Sequence, residues 1–204
     1  VRAVEDECLR PRDLLPGTRK PQYLSRQHAL VRRSRHDVAP GLVPTLVEAI
    51  AEYRETIRIQ PDYVPAYGNL GDVLKKQGKL VEAMAAYRQA IRLQPDFAQA
   101  HYNRGVVHIR KGDFDRAITD LTRAIELDPN YAFPYINRGN VYDDLGEYEH
   151  AIADYDRAIE LNPDYATAYR NRGVAYDYLG EYERAIADYD RAIELDPDDT
   201  FAYN

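Results

Sequence analysis

The sequence has little of what builds covalent or metal cross-links. Its 204 residues contain a single cysteine, Cys8, a single methionine and no tryptophan. One cysteine excludes both a disulfide within the chain and a zinc site made of several cysteines, and it suits a reducing compartment, so we expect a cytoplasmic protein. No apolar run approaches the roughly 20 residues that a membrane-spanning helix needs, so we expect no membrane partner.

Motifs that carry catalysis are also missing. We find no glycine-rich phosphate-binding loop, no paired metal-ligand motif and no nucleophile elbow. The sequence therefore predicts no catalytic residue, no metal site and no cofactor, and we do not expect an enzyme. Asp154 and Asp156 flank Tyr155 in a pattern that resembles an ion site. The same pattern arises where carboxylates are solvated on an exposed helix face, and this is how we interpret it.

Charge is unevenly distributed along the chain, whose formal net charge is −7. Residues 1–40 hold nine Lys or Arg against five Asp or Glu, whereas residues 132–199 hold six against seventeen. Such acidity disfavours binding to a phosphate backbone, so we expect no nucleic-acid partner. We interpret the acidic stretch as a solvated helix surface, and the alternative is a field that steers a basic partner.

What the chain does have is a period of 34 residues. Tyrosine is abundant, with 18 copies against four phenylalanines, which suggests one tyrosine-bearing pattern used many times. Fixed spacing of this kind is the signature of a repeat architecture. The residues that recur at this step are Pro61, Pro95, Pro129, Pro163 and Pro197; Gly71, Gly105, Gly139 and Gly173; Gly78, Gly112, Gly146 and Gly180; Ala83, Ala117, Ala151 and Ala185; and Ala90, Ala124, Ala158 and Ala192.

Each period reads as two helices. From Tyr148 to Leu161, apolar residues recur at the i, i+3, i+4 and i+7 positions of an amphipathic helix. Gly146 separates this helix from the one before it. Asn162-Pro163 ends it, because proline disfavours helical backbone at the preceding residue and has no N–H to donate. The pattern predicts an all-α fold of stacked helix pairs.

The repeat resembles the tetratricopeptide repeat family, which is known for a 34-residue unit of this kind. The residues that carry the resemblance in the third full unit are Tyr135, Arg138, Gly139, Tyr142, Ala151, Tyr155, Ala158 and Pro163. The second unit matches less well, because His101, His108 and Leu121 stand at aromatic positions. The resemblance implies an α-α superhelix, a right-handed solenoid of antiparallel helix pairs whose first helices line a concave groove.

The register predicts how the chain is divided. Residues 1–41 form an irregular extension, and residues 42–204 form the repeat array. The array comprises a half unit at 42–63, full units 1 to 4 at 64–97, 98–131, 132–165 and 166–199, and a truncated unit at 200–204. Because an array cannot bury its last face without a polar cap, we expect the native protein to continue, and self-association through the uncapped C-terminal end stays open.

A second ladder points to function: Asn69, Asn103, Asn137 and Asn171 are also 34 residues apart. Asparagine is a mediocre helix former, yet it carries both a donor and an acceptor that can pair with a peptide backbone. In the family this position faces the groove, and the superhelix of O-GlcNAc transferases, which resembles this one, holds substrate peptides with such asparagines. The alternative is that the ladder is inherited consensus or bonds the neighbouring helix.

The same register gives the other groove residues and the predicted function. They are Asp72, Lys75, Lys76, Val106, Ile109, Arg110, Asn140, Asp143, Asp144, Arg170, Val174 and Asp177. Charge is mixed or basic in units 1 and 2 and acidic in units 3 and 4. Gly68 and Asp72 replace the Lys and Asn of the family's clamp for chaperone tails, so we do not expect that ligand. We predict a scaffold that binds protein or peptide segments, with the substrate-targeting arm of a larger enzyme, such as a glycosyltransferase, as the alternative.

Overall fold

The computed structural model describes residues 45–197. The predicted extension at 1–41 and the truncated unit at 200–204 lie outside the described residues, and the division of the chain into units stays a prediction. Within 45–197 every regular element is a helix, and none of these helices is long and apolar enough to traverse a bilayer. The helices are α1 Leu46–Ile59, α2 Val64–Lys76, α3 Leu80–Leu93, α4 Ala98–Arg110, α5 Phe114–Leu127, α6 Ala132–Asp144, α7 Tyr148–Leu161, α8 Ala166–Tyr178 and α9 Tyr182–Leu195.

The two kinds of turn follow from the residues that recur in them. The turn inside each unit carries a glycine whose φ lies between +71° and +76°, the left-handed region that side chains rarely adopt. The turn between units begins at a residue with extended backbone, such as Asn162 at φ −143° and ψ 93°, because the next residue is proline. Helices of 13 or 14 residues therefore alternate in direction along the chain.

The small residues lie where the two helices of a unit cross. Ala151 and Ala158 are fully buried on α7, and the ring of Tyr155 between them packs against Gly139 of α6. The equivalent tyrosine of unit 1, Tyr87, is also fully buried and packs against Gly71. A larger residue at either glycine would push the helices apart, so the glycine series sets how closely they approach.

Consecutive units stack asymmetrically. The first helices contact one another along the array, α2 with α4, α4 with α6 and α6 with α8. The second helices, α3, α5, α7 and α9, show no comparable packing on one another within residues 45–197. Elements on the inside of a curve lie closer together than those on the outside, so the first helices line the inner face. The prediction of an all-α helical-repeat superhelix is confirmed.

Replacing Gly139 by alanine should destabilise the array, even though alanine is the better helix former. A Cβ atom there would lie 2.7 Å from Cε1 of Tyr155, whose ring is confined on all sides. Overpacking of this kind costs about 1–3 kcal/mol. The measurement is the free energy of unfolding in urea, followed by circular dichroism.

The matched control is Gly68→Ala, which carries the same gain in helix propensity. A Cβ atom at Gly68 would meet only the ring edge of the half-buried Phe97, at 3.2 Å. Gly139→Ala should therefore be the less stable variant by about 1–3 kcal/mol. Equal stability of the two variants would show that the crossing does not depend on this glycine.

Candidate functional site

The asparagine ladder runs along the inner face, and three of its four members bond to the preceding first helix. Asn103 is buried, and its Oδ1 accepts a 2.7 Å hydrogen bond from Lys75 Nζ. Asn171 Nδ2 donates to Asn140 Oδ1 at 2.8 Å. These bonds join α2 to α4 and α6 to α8, so the ladder holds successive units in register as well as facing the groove.

Asn137 and Asn69 show two further situations. Asn137 Nδ2 donates to the hydroxyl of Tyr102 on α4 at 3.3 Å and to the carbonyl of Phe133 on its own helix at 3.0 Å. Asn69 is exposed and forms no hydrogen bond among residues 45–197. The alternative interpretation, in which the asparagines bond the neighbouring helix, therefore describes Asn103, Asn137 and Asn171. A role in holding a peptide stays a prediction for all four.

The inner face is basic at units 1 and 2. Lys75 Nζ lies 3.7 Å from Asp72 Oδ1, and Asp72 also accepts a 2.7 Å hydrogen bond from the hydroxyl of Tyr87. Arg110 Nη1 on α4 donates to the carbonyl oxygen of Lys75 on α2 at 3.4 Å. Lys76, which follows Lys75 in the sequence, is exposed. Asp72 is held by Lys75 and Tyr87, and Lys76 and Arg110 add two exposed cationic side chains to this part of the face.

The same face is acidic at units 3 and 4. Asp143 is half-buried, and its Oδ1 is enclosed without a hydrogen-bond donor among residues 45–197. Burial raises the pKa of Asp143 above its ordinary value, and the neighbouring carboxylate of Asp144 raises it further. Asp144 and Asp177 are exposed. A carboxylate that is desolvated and lacks a donor is stabilised by an incoming cation.

The remaining predicted groove residues frame this surface. Asn140 accepts hydrogen bonds from Tyr155 Oη at 2.9 Å and from Asn171, so its amide oxygen is engaged by both the core and the next unit. Arg170 is half-buried, with its Nε 3.4 Å from Asn171 Oδ1. Val106, Ile109 and Val174 are half-buried on α4 and α8. The structure therefore places the predicted residues on successive first helices.

Sequence reasoning missed an aromatic patch at the N-terminal ends of the first helices α6 and α8. The side chain of Phe133 is 43% exposed, and its ring contacts Tyr102, Tyr131 and Tyr165 at centroid distances of 6.4, 5.9 and 5.9 Å. We call these four residues the aromatic patch. A signal existed, because Tyr63, Phe97, Tyr131 and Tyr165 are 34 residues apart, and Phe133 stands where other units have Pro65, Gln99 and Thr167.

The interpretation of the Asp154 pattern as a solvated face is wrong for Asp154 itself. Asp154 is buried, and its two oxygens accept hydrogen bonds of 2.7 and 2.8 Å from Arg138 of the first helix. Asp120 with Arg104 and Asp188 with Arg172 form the same bidentate pair in units 2 and 4. The pairs join the two helices of a unit, and among residues 45–197 no three His, Cys, Asp or Glu side chains converge as a metal site would require.

The pairing was readable from the repeat itself. Unit 1 has Leu70 where the others have arginine and Ala86 where the others have aspartate. The two positions therefore change together, as expected of residues in contact. For Asp120, the hydrogen bonds and charges of Arg104 and His101 outweigh burial and hold the pKa of this carboxyl below its ordinary value.

Comparison with family models places repeats throughout the helical array. A model described as a TPR repeat matches residues 46–78, 71–112 and 139–177. One model described as a tetratricopeptide repeat matches residues 98–131 and 166–199. A second model with that description matches residues 121–153. The matches together run from residue 46 to residue 199. No curated protein matches the chain significantly.

Solved structures of repeat proteins are similar over most of the chain. A crystal structure of MamA protein is 26% identical with a TM-score of 0.69, covering 86% of this chain and 91% of that one. YrrB, a TPR protein with an unusual peptide-binding site, is 24% identical with a TM-score of 0.68, covering 89% and 88%, a likeness that shows the fold alone. The first TPR of Spaghetti (RPAP3), bound to the HSP90 peptide SRMEEVD, is 33% identical with a TM-score of 0.52, covering 52% and 85%.

Removing Asp154 alone should destabilise the protein, whereas removing both partners should not. Asp154→Ala leaves Arg138, whose side chain is 17% exposed, without its carboxylate, and breaking a buried pair in this way costs about 3 kcal/mol or more. The double variant Arg138→Leu with Asp154→Ala copies the Leu70 and Ala86 of unit 1 and should recover most of that loss. Urea unfolding of both single variants and the double variant gives the coupling energy. A double variant no more stable than Asp154→Ala would contradict the assignment.

Proposed function

The chain belongs to the tetratricopeptide repeat family, and on that premise we propose that it is a non-catalytic scaffold that holds an extended segment of a partner protein against its inner face. The observation that carries this proposal is the aromatic patch, which surrounds the exposed Phe133 and borders Asn137 of the ladder. The second role, as the substrate-targeting arm of a larger enzyme, stays a prediction.

The aromatic patch supplies an anchoring point. Its four rings contact one another in edge and tilted arrangements, so they form one continuous apolar surface around the exposed Phe133. Aromatic residues that are already packed lose little side-chain freedom when they bind, and truncated anchors of this kind are often the costliest in an interface. An apolar or aromatic side chain of the partner would cover Phe133.

The asparagines next to the patch supply polar contacts to the backbone of an extended segment. Asn69 offers an exposed amide with both a donor and an acceptor. Asn137 is tied by its Nδ2 to Tyr102 and Phe133, which holds its side chain beside the aromatic patch. Amide groups of this kind bond main-chain N–H and C=O groups irrespective of the partner's side chains, so they favour affinity over sequence selection.

Charge would fix the direction in which the segment lies. Lys76 and Arg110 favour an acidic residue of the partner at units 1 and 2. Asp143, Asp144 and Asp177 favour a basic one at units 3 and 4, where the enclosed Oδ1 of Asp143 would gain a donor. A segment with one apolar residue between an acidic and a basic end complements all three regions, and reversing it would place like charges together.

The similarity to the first TPR of Spaghetti (RPAP3) supports an extended peptide as the ligand class, since that structure contains the HSP90 peptide SRMEEVD. The ligand proposed for this chain differs in kind, because Gly68 and Asp72 occupy the places where the chaperone-tail clamp has Lys and Asn. An acidic tail alone would leave the acidic end of the inner face without a partner.

Phe133→Ala should weaken peptide binding by about tenfold or more, because it removes the centre of the aromatic patch. The probe is a fluorescent synthetic peptide with an acidic block, one central phenylalanine and a basic block, prepared in both chain directions. Fluorescence anisotropy gives its dissociation constant. One direction should bind more tightly than the other.

The control variant is Tyr182→Ala, which removes an aromatic side chain of 60% exposure from the second helix α9. The control ligand is a scrambled peptide of the same composition. Tyr182→Ala should leave the affinity unchanged, and the scrambled peptide should bind more weakly. Equal loss in the two variants, or equal binding of the scrambled peptide, would reject the inner face as the site.

Asn69→Ala and Asn103→Ala separate the binding role of the ladder from its structural role. The Asn69 side chain has no hydrogen bond to lose among residues 45–197, and alanine is the better helix former, so its replacement should not lower stability in urea. It should weaken peptide binding by the worth of one hydrogen bond, about 0.5–1.5 kcal/mol. Asn103→Ala leaves Lys75 Nζ without its acceptor and should reduce stability as well. Wild-type affinity of Asn69→Ala would mean that this asparagine does not contact the peptide.

A further inference from the structure

In two of the three Arg–Asp pairs, the arginine also reaches the second helix of the unit before it. In unit 3, Arg138 Nη1 donates to Thr122 Oγ1 at 2.8 Å. In unit 4, Arg172 Nη1 donates to Asp156 Oδ1 at 2.5 Å. Thr122 and Asp156 are 34 residues apart, so the repeat provides an acceptor for this guanidinium nitrogen at a fixed position.

Unit 2 lacks that acceptor. The equivalent position on α3 is Arg88, which is itself a cation and has no acceptor in the described part of the chain. Arg104 still forms its bidentate pair with Asp120, through Nε at 2.7 Å and Nη2 at 2.6 Å. Its Nη1 has no acceptor among residues 45–197. The guanidinium groups of Arg88 and Arg104 therefore line one site, whereas the corresponding sites of units 3 and 4 hold one arginine and its acceptor.

The same site is open because unit 2 also lacks a tyrosine. In unit 3, Tyr142 packs on His150 at 5.2 Å, and in unit 4, Tyr176 packs beneath Arg184 at 3.9 Å. Unit 2 has His108 at the tyrosine position and Arg116 opposite it. The smaller imidazole leaves a pocket of about 220 Å³, lined by Arg88, Arg104, His108, Arg116, Thr119 and Asp120.

The polar groups of the pocket favour an anion. Arg116 pairs with Asp113 at 3.0 Å and Arg104 pairs with Asp120, so these two carboxylates are already held and the charge of Arg88 is in surplus. His108 is 6% exposed and faces carboxylates, with its Nδ1 3.4 Å from Asp113 Oδ2 and its Nε2 3.9 Å from Asp120 Oδ2. The donors left for a ligand are therefore those of Arg88 and of Arg104 Nη1, and two guanidinium groups with spare donors in one pocket are what an oxyanion completes.

We propose that this pocket between α3, α4 and α5 binds a small phosphate-type oxyanion, with Arg88 and Arg104 Nη1 as its donors. Several oxygens on one centre match the fork of N–H groups that two guanidinium planes present. The ion takes the place of the acceptor that Thr122 and Asp156 provide at the later junctions. It links Arg88 of unit 1 to Arg104 of unit 2, as those side chains link their unit to the next one. This site is separate from the inner face and does not depend on the proposed peptide binding.

The probe is inorganic phosphate, titrated into the whole chain at constant ionic strength and followed by NMR of the His108 ring and the Arg104 Nε–H, with calorimetry for the affinity. Wild type should show saturable shifts. Arg88→Asp and Arg88→Thr, which copy Asp156 of unit 3 and Thr122 of unit 2, should weaken phosphate binding by about tenfold or more, because each replaces a donor by an acceptor for Arg104. In the absence of phosphate, Arg88→Asp should also unfold at a higher temperature than the control variant Arg92→Asp.

The control is Arg92→Asp, which makes the same change of charge at an exposed position one turn further along α3. It should bind phosphate as wild type does. The proposal is overturned if wild type shows no saturation by about 10 mM phosphate, which is ten times the dissociation constant of a weak site of about 1 mM. It is equally overturned if Arg88→Asp binds as wild type does, or if Arg92→Asp loses as much affinity.

A second arm identifies the source of the oxyanion. O-phosphoserine within a short neutral peptide is titrated beside inorganic phosphate, with the unphosphorylated peptide as its control. Tighter binding of the phosphopeptide assigns the pocket to a modified side chain of a partner. Equal or tighter binding of inorganic phosphate assigns it to the free ion. Phosphopeptide binding that survives Arg88→Asp counts against the pocket.

Discussion

The rest of the structure depends on a tyrosine ring that lies directly on a glycine. In units 1, 3 and 4, the second helix places Tyr87, Tyr155 or Tyr189 where a Cβ atom on the first helix would come within 2.4 to 2.7 Å of the ring. This contact sets the distance between the two helices and excludes side chains from the crossing. It also carries the hydroxyl past the first helix to the inner face, where Tyr87 bonds Asp72 and Tyr155 bonds Asn140. Core packing and the groove are therefore connected by the same side chains.

Around that contact, polar side chains decide how units are joined. The bidentate pairs, such as Arg138 with Asp154, tie the two helices of a unit, and in units 3 and 4 the free edge of the arginine also reaches the unit before it. The asparagine ladder makes a parallel set of links between first helices. Because each link spans only adjacent units, a single replacement such as Arg88 changes one junction and leaves the next intact. The junction between units 1 and 2 differs from the later ones in this local way, through Arg88 of unit 1 and His108 and Leu121 of unit 2.

The inner face combines these links with an uneven distribution of charge. Lys76 and Arg110 lie in units 1 and 2, Asp144 and Asp177 lie in units 3 and 4, and Phe133 lies near the start of α6 with its ring supported by three tyrosines. Such an arrangement suits a ligand that is long, extended and different at its two ends. The polar links beneath it hold the groove in shape, which reduces the ordering that binding would require.

The sequence by itself determined the period, the helix pairs and the family. Those follow from residues whose effect is local: proline ends a helix, glycine permits a turn or a close approach, and apolar residues recur every three or four positions. The tertiary structure alone decided which partner each polar side chain takes. Asp154 reads as a surface carboxylate along its own helix and is buried against Arg138 of another helix. Phe133 forms a patch only because rings from two successive units meet there. Contacts between residues 15 to 35 positions apart depend on the angle and separation of packed helices, which no local pattern encodes.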